Sequence, residues 1–184
     1  MSKILPYALI AIIFISTSMQ QGVLAAAPSA TTTKAYQDFG LGFRVEYPAN
    51  LLLQKGADNV SLSNPQTLNN ASNYFKSTIS VNTWVKEIGP SGLFTPPTLD
   101  TLARNVALGA LNANGTVTNK TKLTIDNTSA YLVESGGTFN GHSYYVTDYL
   151  ILKGNLVYDL LFSYSDQAKF LPVEQRIVKS FMFI

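Results

Sequence analysis

Few side chains in this sequence carry chemistry. There is one histidine, His142, and no cysteine. The lack of cysteine removes thiolate nucleophiles, disulfides and sulfur-ligated metals. As a general base, His142 needs a nucleophile and an orienting carboxylate within hydrogen-bond reach. The nearest acid in sequence, Asp148, is six residues along the same strand, which at ~3.3 Å per residue is roughly 20 Å away. His142 also flanks Asn140-Gly141, a turn pair beside which an exposed polar residue is expected. No catalytic residue is assigned.

Asp148 and Asp159 interrupt otherwise apolar strands. With Gly154-Asn155 as a two-residue loop, Leu150 pairs with Asp159 and Asp148 with Leu161. The two aspartates are then diagonal neighbours on one face, within reach of a shared cation such as calcium or manganese, or of a basic partner. The plain alternative is a wetter sheet face on which each carboxylate meets water or a lysine. Two carboxylates alone make a weak calcium site, since calcium takes six or more oxygens. A glycosidase-type pair would also need a sugar cleft.

Tyr144, Tyr145, Tyr149, Tyr158 and Tyr164 crowd the same region. Those alternating with Leu160 and Phe162 belong to a core face, and tyrosines on the other face could form an exposed aromatic patch. Gly136-Gly137 sits inside a strand and reads as a bulge, not a nucleotide loop. Five N-x-S/T sequons, at Asn59, Asn70, Asn114, Asn119 and Asn127, are candidate glycosylation sites on an exported chain. About three would arise by chance in a chain this rich in Asn, Ser and Thr.

Export is what the first residues indicate. Lys3 precedes a nearly unbroken apolar run from Ile4 to Ile15, then polar residues, then Ala25-Ala26-Ala27. That is the order of a cleavable secretory signal over residues 1–27. The run is too short for the roughly 20 residues of a membrane span, so no integral span is expected after cleavage. Residues 28–35 are expected to be a flexible linker. Residues 36–184 form a single domain with enough chain for its own core. The net charge is +2 and charged residues are 13% of the chain, so nucleic acid is not an expected partner.

The elements that must position these residues are mostly strands. Tyr36 to Tyr47 reads as two strands around Gly40-Leu41-Gly42, with Phe43, Val45 and Tyr47 on a buried face and Pro48 as the stop. Asp58 to Ser63 is a short strand, Asn64-Pro65 a turn, and Tyr74 to Glu87 a central strand carrying Phe75, Ile79, Val81, Trp84 and Val85. Thr98 caps a helix whose buried stripe is Leu99, Leu102, Ala103, Val106 and Ala110, ending by Asn112 to Gly115. Val117 to Ile125 is a strand with its odd positions more apolar. Ala130 to Phe139, His142 to Leu152 and Leu156 to Tyr164 form a meander through Asn140-Gly141 and Gly154-Asn155. Pro172 opens a final helix that buries Val173, Ile177 and Phe181. The fold class is α+β, an antiparallel β-sheet flanked by helices.

Three stretches resemble the PsbP-like family. Gly42-Phe43-Arg44-Val45-Glu46-Tyr47-Pro48 is similar to its opening GF-x-x-x-YP. Gly154-Asn155-Leu156-Val157-Tyr158-Asp159-Leu160-Leu161-Phe162, followed by Ile177-Val178-Lys179-Ser180-Phe181, is similar to its closing G-x-x-Y-x-L strand and SF ending. Between them, Leu123 to Tyr131 resembles the strand, turn and strand carrying a G-x-x-A element. The family usually places a tryptophan soon after YP, where this chain has Asn50-Leu51. The resemblance implies an α/β/α sandwich and a non-enzymatic, accessory habit, as in luminal photosystem II proteins associated with retaining calcium and chloride.

The function expected is therefore an exported, monomeric, non-enzymatic binding domain in a secreted or extracytoplasmic location, engaging a protein or an envelope component. The alternative is an extracytoplasmic carrier of a divalent cation or small ligand using Asp148 and Asp159. A carboxylate-dependent hydrolase ranks third.

Overall fold

A computed structural model describes residues 32–64, 74–83, 87–88, 94–95, 97–139 and 141–184. The expected signal segment, Pro65 of the expected turn, Asn70, Trp84, Val85 and Asn140 lie outside the described residues.

Period-two sequence becomes strand almost throughout. The N-terminal pair is β1 (Thr33–Asp38) and β2 (Phe43–Pro48), antiparallel from Thr33↔Pro48 to Asp38↔Phe43. The strand therefore starts inside the expected linker, because Thr33, Lys34 and Ala35 find partners on β2. Next come β3 (Leu52–Lys55), β4 (Asn59–Ser63) and β5 (Phe75–Thr83), then the two-residue strands β6 (Glu87–Ile88) and β7 (Phe94–Thr95). Helix α1 (Leu99–Asn112) follows, capped by Thr98, whose side chain accepts from the Thr101 N–H. Strands β8 (Thr116–Ile125), β9 (Thr128–Phe139), β10 (His142–Lys153) and β11 (Leu156–Tyr164) make the meander. Helix α2 (Gln167–Ser180) and β12 (Met182–Phe183) close the chain.

Seven strands form one antiparallel sheet in the order β3-β4-β5-β11-β10-β9-β8, and β1, β2 and β12 form a second sheet of three. Its hairpins turn where the glycines stand. His142 faces Phe139 across Asn140-Gly141, with Gly141 at φ 79°, and Lys153 faces Leu156 across Gly154-Asn155, with Gly154 at φ 62°.

Parity along β10 divides the core. Tyr149 and Ile151 join Phe43, Phe75, Ile79, Leu160, Phe162, Phe170 and Ile177 in the larger cluster, on the side of α2. Leu150, between them, joins Leu102 and Ala103 of α1 with Tyr131 and Val133. Successive strand residues point to opposite faces, so the two clusters lie on opposite sides of the sheet. The α1 layer is thin and meets β8, β9 and β10. On the other side, α2 meets β2 of the small sheet and β11 of the large one.

Three local readings are corrected. Pro172 does not open α2. Asp166 does, its Oδ1 accepting from the Lys169 N–H at 3.1 Å, and Pro172 sits inside the helix with its side chain exposed. An aspartate cap satisfies an otherwise orphaned donor, which outweighs a proline signal six residues later. Phe181 is buried, but as the residue that ends the helix. Gly136-Gly137 is not a bulge, since β9 and β10 pair without a break from Phe139 to Ala130. The glycines give room to Tyr144: a Cβ at Gly137 would lie 2.8 Å from its hydroxyl, and one at Gly136 2.7 Å from its carbonyl oxygen. The irregularity is in β8, where Val117 and Asn119 face consecutive residues Ser135 and Glu134, leaving Thr118 extra. One extra residue flips side-chain parity. Val117 accordingly packs with the α1 cluster, while Leu123 and Ile125 pack with the α2 cluster.

Candidate functional site

The register of β10 against β11 sets Leu150 opposite Asp159 and Asp148 opposite Leu161. The two aspartates are thus diagonal neighbours on one face, as the loop length required. It is the α1 face, shared with Leu150 and with Val133, the β9 partner of Asp148. Across the other edge of β11, Asp159 faces Ser80 and Leu161 faces Thr78.

This is not a wet face at that point. Asp148 is 7% exposed. The Oδ1 of Asp159 is shielded from solvent and has no hydrogen-bond partner. Burial pushes the Asp159 carboxyl up to about 7. Burial, then the neighbouring Asp159 charge, pushes Asp148 well above the usual carboxylate range. Two acids so placed retain a proton near neutrality, or hold a cation. The register neighbours Thr78 and Ser80 could add hydroxyl oxygens. Among the described residues, however, no group of three or more acidic or histidine side chains is gathered to hold a metal ion.

His142 is exposed at its turn, as its sequence position requires. The fold brings it not to Asp148 but to an open groove between the hairpin tip and the start of α2, lined also by Ser143, Tyr145, Ser165 and Asp166. Asp166 serves there as the helix cap, and the Ser165 hydroxyl accepts from the Tyr74 N–H at 2.9 Å. The tyrosines do not form an exposed patch. Tyr149, Tyr158 and Tyr164 are buried, and Tyr144 and Tyr145 are half-buried. Of the sequon residues, Asn114, Asn119 and Asn127 are exposed. Asn59 is half-buried in β4, its amide donating to Asp58 Oδ1 at 3.0 Å.

Two buried carboxylates went unread in the sequence. Glu174 is 1% exposed under α2, and its Oε1 accepts from the Tyr149 hydroxyl at 2.8 Å. Burial raises its pKa, while the hydroxyls of Tyr149, Tyr164 and Thr147 pull it back. Its signal was helical phase: Glu174 falls within the stripe Phe170, Val173, Ile177. Asp38 organises the β1–β2 turn. Its carboxylate takes the Tyr36 hydroxyl at 2.6 Å, the Lys55 ammonium at 2.7 Å, and the N–H groups of Gly40 and Leu41 at 2.9 and 3.1 Å. Lys55 and Tyr36 pull Asp38 well below the usual carboxylate range, and Tyr36 is pushed up to about 12, chiefly by burial. Asp38 followed two residues later by glycine is a turn signal of known mechanism.

No family model matches the chain, and no curated protein matches it by sequence. Solved structures do match. The solution structure of cyanobacterial PsbP (CyanoP) from Synechocystis sp. PCC 6803 is 12% identical, covers 90% of this chain and 98% of its own, and superposes with a TM-score of 0.60. The crystal structure of LpqN, involved in cell envelope biogenesis of Mycobacterium tuberculosis, is 12% identical, covers 82% of this chain and 90% of its own, with a TM-score of 0.56. At that identity the likeness is one of fold, and the fold is PsbP-like.

Proposed function

We propose that this PsbP-like chain is an exported, non-enzymatic binding domain that works by contact with a protein or envelope component. The observation that carries the reading is the superposition with CyanoP over nearly all of both chains, joined by LpqN, a protein involved in cell envelope biogenesis. The disposition of the polar residues supports it. His142, Ser165, Asp166 and Asp38 are exposed or committed to caps and turns. Among the described residues no helix is long and apolar enough to cross a membrane. The test is capture by the tagged mature domain from native envelope extract, with untagged domain as competitor. A partner retained in fixed proportion and displaced by the competitor is expected. Retention of nothing that the competitor displaces would refute the reading.

A second reading, a carrier of a divalent cation, is favoured by one observation: the buried, unpartnered Oδ1 of Asp159 beside Asp148. Calcium or manganese bound there would raise the melting temperature by mass action, and Asp159→Asn would abolish the rise. No rise with either ion rejects it.

A further inference from the structure

The outer edge of β8 bounds the seven-stranded sheet, and no described strand pairs with it. It is long. Ten residues at ~3.4 Å each give an edge of roughly 34 Å, against four residues for β3 at the opposite edge. A long free edge is a template for pairing with another chain, and proteins commonly guard it with lysines or a bulge. β8 has both, but the lysines are turned away. Lys120 and Lys122 fold over the ring of Tyr131, and Lys122 also pairs with Asp100 of α1 at 3.1 Å. The side chains left at the edge are threonines and asparagines, exposed at most positions.

Three sequons mark this same edge. Asn114 lies in the turn that leads into β8, exposed and at φ 59°. Asn119 follows the bulge in mid-strand. Asn127 closes the turn that leads out, exposed and at φ 58°. At Asn119 the sequon hydroxyl, Thr121 Oγ1, donates to the asparagine Oδ1 at 2.9 Å, and the asparagine amide donates to Glu134 Oε2 at 2.7 Å. A glycosylated amide keeps one N–H, so the bond to Glu134 is compatible with modification.

We propose that Asn114, Asn119 and Asn127 carry N-linked glycans that together screen the β8 edge from strand pairing. The donor is a lipid-linked oligosaccharide activated as an anomeric phosphate ester. The asparagine Nδ2 attacks the anomeric carbon, the new C–N bond replaces the anomeric C–O bond, and the lipid phosphate leaves with the amide proton. The proposal rests on the export reading above, since such donors act on exported chains. Bulky, strongly hydrated groups at the start, middle and end of the strand exclude a second chain along its whole length, which the inturned lysines do not.

The test is peptide mapping and intact mass on the protein purified from its own cells, with sedimentation beside unmodified chain produced without glycosylation. Expected are glycan masses on the peptides containing Asn114, Asn119 and Asn127, with monomeric native protein at concentrations where the unmodified chain associates at least tenfold more tightly. An unmodified Asn119 on protein whose leader has been removed overturns the proposal and spares the export reading. A retained Met1 with bare asparagines overturns both. Glycans present, with an unmodified chain equally monomeric, overturns the screening role.

Discussion

On the α2 face of the large sheet a single carboxylate, Glu174, is buried with its Oε1 accepting from the Tyr149 hydroxyl at 2.8 Å, while its Oε2 has no hydrogen-bond partner. On the α1 face Asp148 is buried beside Asp159, a half-buried residue whose Oδ1 is shielded from solvent and has no donor. A buried acid given donors fixes the packing of its element, here α2 on the sheet. A buried acid left without them opposes folding whenever it ionises. The difference separates a side chain kept for architecture from a pair whose retention calls for another explanation, such as a proton or a cation. The β1–β2 turn supplies a third case, Asp38, whose ionised form is bound by a lysine, a tyrosine and two N–H groups.

The largest effect that can break this contrast is expected at Glu174. Glu174→Ala removes the acceptor of the Tyr149 hydroxyl and leaves a void beneath α2. It should cost about 3 kcal/mol in urea unfolding; a cost below about 1 would place Glu174 with the aspartates.

The aspartates should act with the opposite sign. A folded pKa near 7 for Asp159, against 3.8 unfolded, means that the protonated form fits the fold. Its stabilising contribution is complete below about pH 3.8 and is lost as the pH rises through 7. In chelator-treated protein, Asp159→Asn should stabilise at pH 8 by on the order of 2 kcal/mol. It should also flatten the decline between pH 5 and 8, as read by melting scans. Asp38 works in reverse: its folded pKa is lowered, so its contribution is present above the ordinary carboxylate range and is lost on acidification.

A smaller effect sharpens the α2 side. Tyr149→Phe keeps the ring against Phe162 but strips Glu174 of a donor, for a loss of about 1–2 kcal/mol. The smallest is expected at the exposed ion pair of Lys122 with Asp100, where Lys122→Ala should leave the melting midpoint unchanged within error.

How much of this was legible follows physical lines. The meander was, because alternation and two glycine-bearing turns fix its register, and register alone placed Asp148 diagonal to Asp159. The two faces of the sheet were not, because β10 is buried on both sides and its run Tyr149-Leu150-Ile151 has no polar side to read. Hence a face expected to be wet is covered where the aspartates lie. Strands β3 and β12 are too short to show a period, and the β8 bulge is silent in the sequence because Thr118 resembles its neighbours. Glu174 gives little signal because a glutamate in a helix is ordinarily solvated.

The central claim is that the α1 face shields the Asp159 Oδ1 beside the buried Asp148 without a donor to hold its charge. Titration of the Asp159 side-chain carboxyl by NMR, in metal-free protein, tests it most directly. A midpoint near 7 is expected, raised by burial, and Asp148→Asn should leave it near 7, because Asp148 holds its own proton more tightly and is neutral there. A midpoint near 4 would contradict it.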